Sequence, residues 1–476
     1  MIIKMKKPTL ILISMLVIVS IIASCILAIG CAQVAEESVA EESVAEESVA
    51  EESVAEESVA EESVAEESVA EERPFDGTTI TVMTHLDPNG DGARQKAWGE
   101  VISEFENKTG ITVKCVLFPW SDLINQLILS VQTGQPTDLA FVHSLLGFGK
   151  AIEADALMPL DSFITDDYDE AEIKDSLLWD KIGVSGESKY GVPFAFMVFG
   201  LFINKEYLAE SGLEAPNTWQ EFIEVGKALK SAEVTPFLIG ASPEQFSMHQ
   251  GVGQIVEGMG GKIIDNDGMA VFDSIAGIEA YEFLKSLVFD YEIMPQVAAT
   301  TKYDEVVDSF AAGRVAMIIE GSHRYTRATD TLGAENVEVV RIPGLEADKP
   351  SPANIACWTL CMPKGSQNPD AAWEFIKYFN SAEVQLKFAK LSGEIPTRAS
   401  ASEDPYFKSP EGEILDFWVK YIADYGSVLP GPTTIAELEE IQALSLQKVL
   451  ASQDSNVKEI LESAVKEYND IVSKNQ

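Results

Sequence analysis

Apolar and polar positions divide the chain into three regimes. From Leu10 to Ile29 the chain is almost continuously apolar, and Lys4, Lys6 and Lys7 precede the run. A basic start followed by such a run is the layout of a secretory signal, so the chain is expected to be exported. The pattern then takes a period of five: Val34-Ala-Glu-Glu-Ser38 recurs seven times, with a partial copy ending at Glu72. A five-residue period drifts around a helix of 3.6 residues per turn, and Glu37 repels Glu41 at i,i+4. With no apolar stripe to bury, the segment reads as an extended, charged stalk with a reach on the order of 35 Å. From residue 79 onward, short apolar runs alternate with amphipathic stretches. Strands are expected at 79–83, 111–118 and 138–142. A helix over 93–107 turns Trp98, Val101, Ile102 and Phe105 inward and stops at Gly110, and a second runs over 122–133. This alternation is that of a doubly wound α/β lobe.

Residues 190–204 are the greasiest stretch after the signal. They are too few to span a bilayer as a helix, and their Val, Ile and Phe content predicts a strand buried on both faces. Pro193 and Gly200 interrupt it, so it is read as a hinge strand and cleft wall. Beyond it, Thr218 and Glu221 form a capping box that leaves Trp219 as a packing residue. A hairpin should turn at Asn266-Asp267-Gly268. Helices are expected at 274–289, 303–312, 369–378 and 381–391, and a strand after Gly313 ends in Ile319-Glu-Gly-Ser-His323. Asn354-Ile-Ala-Cys-Trp-Thr-Leu360 is read as a second hinge crossing. The chain closes on an amphipathic helix carrying Val457, Ile460, Leu461, Ala464, Tyr468, Ile471 and Val472.

Charge narrows the function classes. The formal net charge is −43; removing the 16 repeat glutamates and three signal lysines leaves −30 on residues 73–476. This charge disfavours nucleic acid and anionic membrane surfaces as partners, and no nucleic acid is expected. About 400 residues exceed what one core supports, which predicts two lobes. Only Cys115, Cys357 and Cys361 follow the signal region, and the last two lie about 13 Å apart on one strand, too far to bond. Small residues precede Cys25 and Cys31 in the manner of a lipoprotein lipobox; Cys31, where polar sequence begins, is taken as the lipidated residue, with Cys25 as the alternative. Asp87, Asn89, Asp91 and Gly92 match half a calcium loop, but its twelfth position is Trp98, so no metal is expected. There is no phosphate loop, no H-E-x-x-H and no G-x-S-x-G, so no catalytic residues and no cofactor are expected, although a catalyst assembled in space would leave no such local motif.

Ligands of doubly wound lobes sit at the carboxyl ends of strands, which selects the loops carrying His85, Trp120 and His143. Trp120, Phe194, Phe196, Tyr325 and Trp358 are aromatics at loop or strand-end positions, and Glu320 and His323 are polar groups at another strand end. His249 and Arg398 are read as structural.

Six segments in order, Phe105-Glu-Asn-Lys-Thr-Gly-Ile-Thr-Val113, Tyr190-Gly-Val-Pro193, Pro216-Asn-Thr-Trp-Gln-Glu-Phe222, Phe310-Ala-Ala-Gly-Arg-Val-Ala-Met317 with Gly321, Ala372-Trp-Glu-Phe-Ile376 and Gly393-Glu-Ile-Pro-Thr-Arg398, resemble the extracellular solute-binding proteins of sugar ABC importers, the maltose-binding-protein-like family. The resemblance implies an α/β, two-lobed periplasmic-binding-protein-like fold with crossover hinge strands and an interlobe cleft. Its expected division is a signal region 1–31, an acidic tether 32–73, a first lobe of 74–195 with 358–425, and a second of 196–357 with 426–476. It implies a ligand site at His85, Asp87, His143, Ser144, Phe196, Met197, Glu320, Ser322 and His323, to which position adds Trp120, Phe194 and Trp358. A carboxylate of the relative is replaced near Met197 and a stacking tryptophan falls near His323, so the ligand is not expected to be maltose. The expected protein is a lipid-anchored, extracytoplasmic monomer and not an enzyme, with a carbohydrate ligand and ABC permease subunits as partners. A receptor or adhesin, and then a surface glycosidase, are the alternatives.

Overall fold

The computed structural model describes residues 74–475 apart from 231–233, 243–250, 266 and 429–430. The signal, Cys25, Cys31, the stalk, His249 and Asn266 lie outside the described residues.

The first half is built on β1 (Thr79–Thr84), β2 (Thr112–Leu117) and β3 (Leu139–His143). The first strand pairs in parallel with both of the others, as βαβ crossovers require. The crossover helix Ala93–Thr109 buries Trp98, Val101, Ile102 and Phe105 and ends on Gly110 at φ +75°, a left-handed cap that suits glycine. After the small ribbon β4 (Val184–Ser185) and β5 (Ser188–Lys189) comes β6 (Gly191–Asn204), whose 14 residues are all buried. It is the expected strand of 190–204.

The second half contains β7 (Thr235–Leu238), β8 (Val315–Gly321) and β9 (Val337–Val340), and the chain returns through β10 (Ala353–Cys361) to β11 (Gly426–Val428). Strand β6 belongs to both halves. Its Gly191–Val198 stretch pairs antiparallel with β10, which in turn pairs with β3. From Phe199 onward it pairs instead with β8, and its last residues also with β9. One strand thus ties the two sheets together, and β10 runs beside it as the second crossing. Strand β7 lies parallel to β8, and β11 parallel to β10.

Helix packing follows from local sequence. Thr218 caps the helix Trp219–Leu229 in a capping box with Glu221, and Trp219 packs on Phe222 and Phe283. The helix Glu413–Tyr425 lays Trp418 over Gly200, where an added Cβ would stand 2.7 Å from the ring, and Tyr421 donates to the Ser351 carbonyl at 2.8 Å. It packs on the second-half end of β6, where the absence of a Cβ at Gly200 leaves room for the indole. The expected hairpin is reduced to one bridge, Ile264 with Ala270, and a turn at Gly268, φ +76°. Cys115, Cys357 and Cys361 are free thiols. Among the described residues no helix is long and apolar enough to cross a membrane.

Candidate ligand-binding site

The carboxyl ends of β1, β3 and β8 open on a cavity of about 310 Å³ between the halves. The first half supplies His85 just after β1, Arg94 from the first turn of Ala93–Thr109, Trp120 after β2, His143 at the end of β3, and Leu146. Trp358 joins them from β10, in register with His143. The second half supplies Met197 from β6, Tyr303 and Asp304 at the start of the helix Tyr303–Ala311, His323 and Arg324 from the turn after β8, and Arg327.

The charges in this wall are paired. Arg324 reaches Asp304 at 2.7 Å, and Arg327 bridges Asp304 at 3.0 Å and Asp308 at 2.6 Å. Arg94 is paired with the buried Glu394. Arg324 also lies 4.8 Å above the Tyr303 ring. In an acidic protein the cavity is thus close to electroneutral, with guanidinium groups held in fixed orientation by their carboxylates.

The three histidines are neutral. Burial pushes His143 down to about 3, and its Nδ1 accepts from the Leu145 and Leu146 N–H groups at 3.3 and 3.1 Å. Its proton therefore sits on Nε2, which is left to donate. His85 and His323 are held well below the usual histidine value, first by burial and then by Arg94 and Arg324 respectively. His323 Nε2 stands 3.2 Å from the Tyr303 hydroxyl. His85 Nδ1, His323 Nδ1 and Arg324 Nε are buried without a hydrogen-bond partner within the protein. Orphaned polar atoms of this kind cost about 1–3 kcal/mol each unless a ligand or solvent satisfies them.

Of the residues selected from sequence, His85, Trp120, His143, Met197, His323 and Trp358 line the cavity. Trp120 is 36% exposed and offers a ring, whereas Trp358 is 5% exposed, with His85 at 4.6 Å on its face and His143 at 5.2 Å edge-on. The others stand behind the wall. Phe194 and Phe196 are buried core, Phe194 packing on Phe141 and Phe379. Ser144 accepts from the Cys357 N–H and Ser322 from the Val198 N–H, so each hydroxyl fastens a crossing strand. Asp87 accepts from the Asn89 N–H in its own turn. Glu320 is fully buried, and burial pushes its carboxyl up to about 7 against the opposing pull of Arg324, Tyr303 and the Gly321 N–H.

Tyr325 packs beside Phe202, and Arg398 donates to the carbonyls of Asn380 and Glu172, a structural role. Sequence reading missed Arg94, Leu146, Tyr303, Asp304, Arg324 and Arg327. Their available signal was position: each lies within a few residues of a strand's carboxyl end or in the first turn of a helix. Among the described residues no group of His, Cys, Asp and Glu is arranged to hold a metal ion.

The family profile described as bacterial extracellular solute-binding protein matches residues 100–412. A maltotriose-binding protein of Pyrococcus abyssi is 26% identical over 294 residues, 60% of either chain. A Thermotoga lettingae ABC-transporter solute-binding protein bound to α-D-tagatose superposes with a TM-score of 0.70 at 22% identity, covering 83% of this chain and 100% of that one. The Thermus thermophilus maltotriose-binding protein with maltotriose gives 0.67 at 21% identity, with the same coverages. The fold is therefore the two-lobed one of periplasmic binding proteins, with β6 and β10 as the crossing strands. With its profile matched over well more than half the length, this chain belongs to the bacterial extracellular solute-binding proteins.

Proposed function

We propose that this protein captures a neutral carbohydrate between its lobes and delivers it to the membrane subunits of an ABC importer. The observation that carries this reading is the composition of the cavity wall: charge-paired arginines, neutral imidazoles and orphaned polar atoms beside an exposed indole. Sugar hydroxyls donate and accept at once and so satisfy both kinds of orphan, while the C–H face of a pyranose suits Trp120. Net charge in the ligand would leave a guanidinium or a carboxylate uncompensated. The relatives named for maltotriose and the structure solved with tagatose support the same class.

Both lobes contact the same cavity, so a ligand there binds the closed arrangement better than an open one and drives closure. Asp304 is the single carboxylate of the lining residues, clamped between two arginines, whereas glycoside hydrolysis needs a pair. Binding without turnover is the reading. Lipidation at Cys31, with Cys25 as the alternative, would hold a monomer outside the membrane on the acidic tether of 32–73. The lobes are taken as 74–195 with 358–425 and 196–357 with 426–476, except that the helix Glu413–Tyr425, which packs on Phe202 and Ser351, goes with the second lobe.

The test is a thermal-shift screen of the purified protein against mono- and oligosaccharides, amino acids, polyamines and metal ions, with chromatography of the sugars afterwards. A saturable rise with one sugar group and no product is the expected result. A rise only with a polyamine or a metal overturns the carbohydrate class, and product formation overturns the binder.

A further inference from the structure

A smaller cavity of about 80 Å³ adjoins the main one, and Trp120, His143, Leu146 and Trp358 line both. It lies within the first lobe, between β3 and the helices Leu123–Gln132 and Phe148–Glu153. Its character differs from that of the cleft. Leu123, Phe141 and Val142, all buried, give it an apolar lining. Its other lining residues include the more accessible Ser121, Asn125 and Lys150, each able to donate a hydrogen bond.

Size decides what fits. An apolar cavity of about 150 Å³ accommodates benzene, so 80 Å³ holds roughly three heavy atoms. A second sugar ring, with more than ten, is excluded. A bare hydroxyl could accept from Ser121, Asn125 or Lys150 but would leave Leu123, Phe141 and Val142 with no apolar group against them. An acetyl group matches on each count: its three heavy atoms fill the space, its methyl meets the apolar residues and its carbonyl meets the donors.

Resting on the carbohydrate reading above, we infer that the ligand carries an acetyl substituent, as an acetamido or acetyl ester, seated in this side pocket while the sugar ring occupies the cleft beside Trp120. The pocket is then the specificity determinant that separates acetylated from plain sugars.

The experiment is calorimetric titration of the full-length protein with matched pairs: glucose and N-acetylglucosamine, cellobiose and N,N′-diacetylchitobiose, xylobiose and its acetyl ester. At least one acetylated member should bind fourfold or more tighter than its parent, the gain expected for burying one methyl. Two variants fill the pocket from positions that are not themselves part of the cleft lining. Gly147→Leu starts from a position where an added Cβ meets Ile124 at an ordinary 3.5 Å, and Ile124→Trp places an indole in the same space. Each should remove the acetyl preference and leave the parent sugar's affinity within twofold, which also shows that the variant is folded. Equal affinities within every pair, or variants that weaken parent and acetylated sugar alike, overturn the side pocket and leave the cleft reading standing. Failure of every sugar in both series removes the carbohydrate reading and this inference with it.

Discussion

Glu320 shows at the scale of one residue how the cleft couples to acidity. Its carboxyl is buried behind Tyr303, with burial raising it from 4.5 to about 7 in the folded chain. A raised carboxyl stabilises the fold fully below its unfolded value of 4.5, and that contribution is lost as pH rises through about 7. His143 acts in the opposite sense: depressed from 6.5 to about 3, it contributes above 6.5 and loses that contribution as pH falls. Glu320→Gln, which cannot ionise, should therefore gain in melting temperature relative to the unmodified protein between pH 4.5 and 7. A constant offset across that range in paired melting curves would contradict the assignment. The site was legible in sequence where a residue ends a strand, as with His85, His143 and His323. It was not legible where a polar side chain turns back to hold the backbone, because Ser144 and Ser322 look like ligand contacts until their partners, Cys357 and Val198, are known. Asp304 escaped notice because its role comes from Arg324 and Arg327, which meet it only in space.

At the scale of elements, the buried run of 190–204 announced itself by hydropathy alone, and so did the helix of Trp98 and Phe105, whose apolar positions recur with helical spacing. Pairing did not. Nothing local says that β6 changes partner from β10 to β8 near Phe199, since antiparallel neighbours are chosen by packing at long range. Gly200 at that change of partner is read in sequence as a break and in the structure as the notch that receives Trp418. Gly200→Val would drive a side chain into the indole and toward the Val340 carbonyl, 3.1 Å from an added Cβ. Such overpacking should destabilise the protein by about 1–3 kcal/mol in denaturant unfolding, and an unchanged midpoint would show the notch to be empty of consequence.

The whole molecule combines a strongly acidic exterior with a balanced interior cleft. A net −30 on residues 73–476 makes the compact state repel itself, so raising ionic strength should raise the melting temperature, most steeply where the Debye length first falls below about 10 Å. A flat or falling response in a salt series would contradict that view of the surface. The cleft is insulated from this field by its own pairs, and its two walls come from different lobes. The most direct measurement is therefore calorimetric titration of the sugar that raises the melting temperature most, into the unmodified protein, Trp120→Ala and Asp304→Asn. Removing the first-lobe ring should weaken binding about tenfold. Removing the charge that orients Arg324 and Arg327 on the second lobe should weaken it by about as much. Neither change should move the unliganded melting temperature by more than a few degrees, since Trp120 is 36% exposed and the Asp304 side chain 44% exposed. Loss of affinity in both variants is the result this account predicts; full affinity retained in either one would show that the ligand is not held between the lobes.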